Sequence, residues 1–369
     1  MKICLIIGTR PEIIKMSPVV RECEKRRLNY FVLHTGQHFS YRMDQLFFSD
    51  LDLPRPKYNL MVGEQYARYQ IRIMIKKIEK VLANEKPNYV LVLGDTNTTL
   101  AGSLAANRSR IALVHLEGGL RSFDIVMAEE VNRMIADYLA ELIFVPTMKA
   151  RENLLNERVL SKKIVYSGNT IVDAVTQNLR IAEEKTNILK KHNLKEKRYF
   201  LVTLHRAENV DMKERMRSIF EGFRLTNEKY RMPLVLPIHP RTRKMIKDFK
   251  LKIPKGVISL EPLSFLEFLQ LESKAKLILT DSGGLQEEAC IIKVPCVTLR
   301  DNTERPETIS IGVNMLSGTD PEKICSCIRI MLSKKIIWRN PFGDGKSAER
   351  IISTLICYYK NKKTKQREK

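Results

Sequence analysis

The sequence lacks the residues and runs that mark several common kinds of protein. Its seven cysteines are odd in number, with no CxxC pair and no zinc-like spacing to histidine. Cys325 and Cys327, two apart, suit neither a usual disulfide nor a finger, so reduced thiols in a cytoplasmic chain are expected. Long hydrophobic runs are missing. The start, "MKICLIIGTRPE", holds only five consecutive apolar residues, too few for a signal peptide, and no stretch approaches membrane-spanning length. Neither GxGxxG nor GxxxxGK[ST] occurs, which argues against a dinucleotide loop or a P-loop. Acidic residues are the scarcer charge, 42 against 64 Lys and Arg, for a formal net charge of +22. Such a surplus fits nucleic acid, an anionic membrane or anionic substrates. Much of it is dispersed over amphipathic stretches such as "RECEKRR" and "IRIMIKKIEK", which reads as solvated surface, with no nucleic-acid or membrane partner. The tail at 361–369, "NKKTKQREK", is basic and expected to be frayed.

What is present is a rhythm. At 369 residues two domains are the default. Apolar runs "KICLIIG", "YFVLHT", "YVLVLGD", "IALVHLE" and "LIFVPT" alternate with helical stretches. The pattern continues with "KIVYSG", "RYFLVTLH", "MPLVLPIH", "GVISLEP", "AKLILTD" and "PCVTL". Strands alternating with helices predict an α/β fold of parallel sheets with right-handed crossovers. The chain is expected to divide near 168–172, at "SGNTIVDAV". Residues 1–169 would form one domain, rejoined by a last helix at about 347–360, and 170–346 the other. Several strands end in a polar residue: Asp95, Glu117, His205, His239 and Asp281. Ligands of open α/β sheets bind outside such carboxyl ends.

Two strand-to-helix turns look built for an anion. In "TDSGGLQEEAC" (280–290), Ser282, Gly283 and Gly284 open a helix whose unpaired N–H groups and dipole favour a phosphate. Glu287 and Glu288, one turn on, could accept hydrogen bonds from ribose hydroxyls. An ordinary serine N-cap with a tight turn explains Ser282 equally well. In "GTRPEIIK" (8–15), Arg10 and Lys15 suit a diphosphate by fork and by point charge, or are simply exposed cations. Carboxylates cluster in the first half: Asp95 in "GDTNTT", Glu117 in "HLEGGLRS", and Glu129 and Glu130 in "AEEVNR". Singly each suits a cap; grouped, they suit general acid–base work. His205 and Arg206 in "LHRAEN" and His239 in "IHPRT" would bind phosphate, move a proton or stay structural. The charged loop "LRDNTERPET" (299–308), with Arg300, Glu304 and Arg305, calls for a ligand or an interdomain contact.

In this order, GTRPEIIK, TGQH, GDTNTT, HLEGGLRS, EEVNR, SGNTIVDA, LHRAEN, IHPRT, TDSGGLQEEA and RDNTERPET resemble the motifs of the non-hydrolysing UDP-N-acetylglucosamine 2-epimerases. The likeness spans about residues 3–355. It implies two Rossmann-like domains facing across a cleft, the glycosyltransferase-B architecture, in a homodimer. It implies reversible epimerisation at C2 of UDP-GlcNAc to UDP-ManNAc, through 2-acetamidoglucal, with no NAD and no metal. By motif, Asp95, Glu117 and Glu129 match the family's catalytic carboxylates. Arg10, Lys15, His205, Ser282, Gly283, Gly284, Glu288 and Arg305 match its UDP contacts, and Leu263 and Phe268 its uracil side. His205 would also serve catalysis by stabilising charge on the departing diphosphate. In some members Gln37, Arg206 and His239 match part of a second, allosteric UDP-GlcNAc site. The alternative function is a UDP-sugar-dependent glycosyltransferase of the same architecture.

Overall fold

The computed structural model describes residues 1–37, 47–63, 66–335 and 337–367. The chain divides into two compact α/β units, Met1–Ala174 with Phe342–Lys369, and Val175–Pro341. In the first unit the strands are β1 (Lys2–Ile7), β2 (Asn29–His34), β3 (Tyr58–Asn59), β4 (Tyr89–Leu93), β5 (Ala112–Leu116), β6 (Leu142–Val145) and β7 (Ile164–Tyr166). All pair in parallel, in the order β3-β2-β1-β4-β5-β6-β7. The chain works outward from β1, returns to the middle, and works outward the other way from β4. The topological switch therefore lies between β1 and β4, the kind of position at which open α/β sheets bind ligands.

The second unit repeats the scheme with β8 (Phe200–Thr203), β9 (Leu234–Pro237), β10 (Val257–Leu260), β11 (Leu277–Thr280), β12 (Cys296–Thr298) and β13 (Asn314–Leu316). Their parallel order is β10-β9-β8-β11-β12-β13, so this switch lies between β8 and β11. Helices cover both faces of each sheet, which is why strands such as "YVLVL" are apolar throughout rather than alternating. In the first unit Cys4, Ile6, Val90 and Val92 pack with Met74 and Ile78 of helix Ala67–Glu85 and with Ala101 and Ala105 of helix Asn97–Arg108. In the second, Phe200 and Val202 join Phe223 and Ile324, while their neighbours Tyr199 and Leu201 join Ala289 and Cys296 on the other face.

Every apolar run read as a strand forms one. The two edge strands β3 and β13, of two and three residues, were too short to read. All seven cysteines are unpaired thiols, six of them buried. Helix Ser347–Arg367 belongs to the first unit. Its first N–H groups, at Ser347 and Ala348, donate to the Asp173 carboxylate at 3.2 and 3.0 Å. It packs along helix Arg10–Lys25. The tail expected to fray is helical as far as Arg367. Tyr359 lies edge-on to Tyr89 at 6.4 Å and Lys362 pairs with Glu141 at 2.8 Å, so that end has partners.

Candidate functional site

The charged groups of the first unit gather where β1 and β4 end. The turn after β1 passes so close to its neighbours that a Cβ on Gly8 would lie 2.0 Å from Thr98 Oγ1. Only glycine fits there. Helix Arg10–Lys25 follows, with Pro11 at its start. Glu12, in its first turn, folds back to accept from the N–H groups of Gly8 and Thr9, each at 2.8 Å, and from Thr96 Oγ1 at 2.6 Å. Thr96 belongs to the loop after β4, so this buried acid ties the two loops of the switch together. Burial lifts its carboxyl above the usual range while those hydrogen bonds oppose the rise. Nothing in the motif set marked Glu12.

Arg10 is exposed on the same first turn. Lys15, read as a diphosphate contact, reaches Glu117 Oε1 at 2.5 Å, and Asn169 Nδ2 donates to that same oxygen at 3.1 Å. Glu117 itself has φ +67°, the left-handed region that a residue with a Cβ rarely adopts. Asp95, just past β4, is ion-paired with Arg133. Burial raises the Asp95 carboxyl; Arg133 and Lys15 oppose that, and Glu117 and Glu129 add to it. Lys15, Asp95, Glu117, Glu129 and Arg133 thus form one charge cluster. The two acids opening helix Ala128–Leu139 part company. Glu130 is buried, accepts from the N–H groups of Ser122 (2.9 Å) and Phe123 (3.1 Å), and pairs with Arg133 at 3.2 Å. Glu129 is exposed. Gln37 is braced inward, its side-chain oxygen accepting from Thr98 N (3.0 Å) and Oγ1 (2.8 Å). His38, the last residue of TGQH, and the segment to residue 46 lie outside the described residues.

In the second unit the switch is locked by Asp281, just past β11. Fully buried, it accepts from the N–H groups of His205 and Arg206, each at 2.9 Å, and pairs with His205 Nδ1 at 3.1 Å. Burial alone would raise its carboxyl, but His205 and these N–H groups hold it below the usual range. Ser282 is the N-cap of helix Gly283–Ile291, yet its hydroxyl makes no capping bond. A Cβ on Gly284 would meet nothing within 4 Å, and one on Gly283 would sit 3.1 Å from Glu304 and 4.0 Å from the Arg206 guanidinium. The helix start is therefore open at Gly284, while at Gly283 it faces the Glu304 carboxylate, with the Arg206 guanidinium a little farther off. The His239 ring lies 5.6 Å from that of His205. His239 also caps helix Pro240–Asp248, its Nδ1 accepting from Arg241 N at 3.2 Å.

The charged loop after β12 has ion-pair partners within its own unit. Buried Arg300 pairs with Glu208 at 2.6 Å and Glu304 at 3.0 Å. Arg305 forms a 2.6 Å ion pair with Glu287. Glu287 is thereby committed to Arg305, and of the two acids read for ribose only Glu288 stays part-exposed. Glu288 meets an acid that sequence reasoning missed: Glu272, near the end of helix Phe265–Ser273. Neither Glu272 oxygen meets a hydrogen-bond donor, and burial followed by Glu288 pushes its carboxyl well above the usual range. Burial and the neighbouring Glu288 thus both favour its protonated form. In "FLEFLQLE" it reads as one more polar helix position. Leu263 and Phe268 are half-buried against the cluster of Tyr199 and Leu285. Nearby, Ile238, Arg243, Lys244, Lys247 and Glu261 line a cavity of about 430 Å³.

Two parallel sheets of this order, each with its polar groups at the switch point, define an α/β protein of the glycosyltransferase-B architecture. Residues 21–356 match the family model described as UDP-N-acetylglucosamine 2-epimerase, and the chain belongs to that family of isomerases. It is 52% identical to the UDP-N-acetylglucosamine 2-epimerase of Methanocaldococcus jannaschii, covering 96% of this chain and 99% of that one. It is 40% identical to UDP-2,3-diacetamido-2,3-dideoxy-D-glucuronate 2-epimerase of Pseudomonas aeruginosa, over 96% of this chain and 99% of that one. The crystal structure of the M. jannaschii UDP-GlcNAc 2-epimerase in complex with UDP-GlcNAc and UDP superposes with a TM-score of 0.84 at 52% identity, covering 96% and 99% of the two chains. No helix among the described residues is long and apolar enough to cross a membrane.

Proposed function

We propose that this chain interconverts UDP-GlcNAc and UDP-ManNAc by eliminating UDP and adding it back, with 2-acetamidoglucal bound in between. The observation that carries the reading is the cluster at the first switch, where Lys15 pairs with Glu117 beside an Asp95 whose carboxyl burial has raised. The C2 proton of the sugar is not acidic, because no carbonyl adjoins it on the ring. Removing it as the C1–O bond breaks solves this: the C–H electrons form the double bond and the bond pair leaves with UDP. Return of UDP, with a proton delivered to the other face, inverts C2. The sequence is redox-neutral, so no hydride acceptor enters the balance.

One of Asp95, Glu117 and Glu129 takes the proton and another delivers it. Arg10 and Lys15, with His205, the helix start at Ser282, Gly283 and Gly284, and Arg305, take the diphosphate. Lys15 exchanges its Glu117 partner for phosphate oxygens, which releases Glu117 as a base. Glu288 accepts from the ribose, and Leu263 and Phe268 flank the uracil. Positioned acid–base groups supply about 10²–10⁴-fold, so the greater share comes from stabilising charge on the departing diphosphate.

Turnover in heavy water tests the reading: product should carry deuterium at C2. Unlabelled product would exclude elimination. Free ManNAc among the products would mark a hydrolysing enzyme, and inertness towards UDP-GlcNAc without an acceptor would mark a glycosyltransferase. The chain is further proposed to act as a homodimer. Val131, Met134 and Tyr138 form an exposed apolar stripe on helix Ala128–Leu139, continued by exposed Phe123, Ile125 and Val126. Sedimentation should give a dimer, and Met134→Glu with Tyr138→Glu a monomer.

A further inference from the structure

Asp95 and Glu117 stand on loops that leave neighbouring strands, β4 and β5, and the backbone of each loop is fastened to one buried pair of side chains. His115, on β5, is fully buried. Its Nε2 lies 2.8 Å from the carbonyl oxygen of Gly94, the residue before Asp95. Its Nδ1 lies 2.7 Å from Asp137 Oδ1. The other Asp137 oxygen accepts from the N–H of Gly119, two residues after Glu117, at 3.1 Å, and pairs with Arg121 at 2.8 Å. Arg121 is paired in turn with Glu157 at 2.6 Å. A carbonyl oxygen only accepts. His115 and Arg121 outweigh the effect of burial on the Asp137 carboxyl and hold it below its usual range. Nε2 therefore donates to Gly94, Nδ1 faces Asp137 Oδ1 on the other side, and no rotation of the ring preserves both contacts.

The Gly94 peptide is held from both ends, since its N–H donates to Leu116 O at 3.0 Å. Between these fastenings sits Glu117 in its left-handed conformation, a strain that persists only where surrounding contacts over-determine it. We propose that His115 is a positioning residue for the reaction: with Asp137 it holds the Asp95 loop and the Glu117 loop at one separation and keeps Glu117 in its strained backbone state. The inference rests on the reading of Asp95 and Glu117 as the acid–base pair. Misplacing a reacting group by about 1 Å can cost about 10²-fold in rate.

The test compares wild type, His115→Phe and Asp137→Asn in kcat, in KM for UDP-GlcNAc, in UDP affinity by calorimetry and in melting temperature. His115→Phe keeps the ring's bulk and loses both bonds. It should lower kcat by about tenfold or more, with KM and UDP affinity within about threefold of wild type, because the anion-binding groups are untouched. Asp137→Asn, which can still accept from His115 but no longer attracts Arg121 as an ion, should fall between. The acid limb of the kcat–pH profile should move to lower pH in His115→Phe, as Asp95 loses the nearby Glu117 charge that helps raise it. A folded His115→Phe with wild-type kcat and pH profile would overturn the proposal. So would equal losses in kcat and UDP affinity. If His115→Phe does not fold, the same split in Asp137→Asn decides. Wild type that incorporates no solvent deuterium at C2 would instead fail the reading underneath.

Discussion

The two units share a strand order around their switch points, yet the helices that follow β1 and β11 start in opposite ways. In the first unit helix Asn97–Arg108 carries no acid at its start, while two helix starts carry their own, Glu12 on helix Arg10–Lys25 and Glu129 and Glu130 on helix Ala128–Leu139. Side chains of the chain itself meet the positive end of those helices. In the second unit helix Gly283–Ile291 has no acid in its first turn, no capping bond from Ser282, and open space over Gly284. On the proposed reading that end takes an anion from outside at Gly284. Topology thus supplies two switch points of one kind, and on the proposed reading local residues suit one to moving protons and the other to holding charge.

Substitutions in the two units should therefore break different kinetic constants. Glu117→Gln should cut kcat by about 10³-fold while UDP affinity by calorimetry stays near wild type. Strong residual turnover would remove Glu117 from the acid–base set and erase the contrast. Gly284→Asp should do the reverse. A carboxylate placed in the open space competes with phosphate, so UDP binding should weaken about tenfold with little change in melting temperature. Unaltered UDP binding would mean the helix start is not where the anion goes.

A smaller effect sharpens the second unit. The Glu272 carboxyl is raised, so the folded chain holds its proton more tightly than the unfolded chain does. Its stabilising contribution is whole below the ordinary carboxylate range and is lost as pH climbs towards the raised value. Glu272→Gln keeps a donor towards Glu288 and cannot ionise. Its melting temperature should match wild type at about pH 5 and exceed it by a few degrees at about pH 9. Parallel curves would show that Glu272 does not titrate. Smallest of all, Lys362→Ala removes a half-exposed pair with Glu141 worth under about 1 kcal/mol, and should lower the melting temperature by less than about 4 °C.

The strands were legible because both faces of each sheet are covered, so "YVLVL" and "AKLIL" stand out as unbroken apolar runs. Their order was not legible. Nothing in "KICLIIG" says that β4 rather than β3 lies beside it, and that pairing makes Gly8 and Asp95 neighbours across the switch. The motif residues were legible because glycines and polar groups interrupt those runs. Glu12, His115, Asp137 and Asn169 were not, because what they do lies in bonds to residues far along the chain, such as Asn169 to Glu117. The parting of Glu129 from Glu130 depends on where two N–H groups of the preceding loop point. The loop with Arg300 and Arg305 was legible only in part, because a run of charges does not reveal that Glu208 and Glu287 answer it from within the same unit.

Helix Ser347–Arg367 rests on the helix that carries Arg10 and Lys15, although the whole second unit lies between them in the chain. On the ribosome, the first unit waits for its final support until the second has already emerged. A premature stop after residue 341 would spare every motif and still leave the Arg10 helix without its backing.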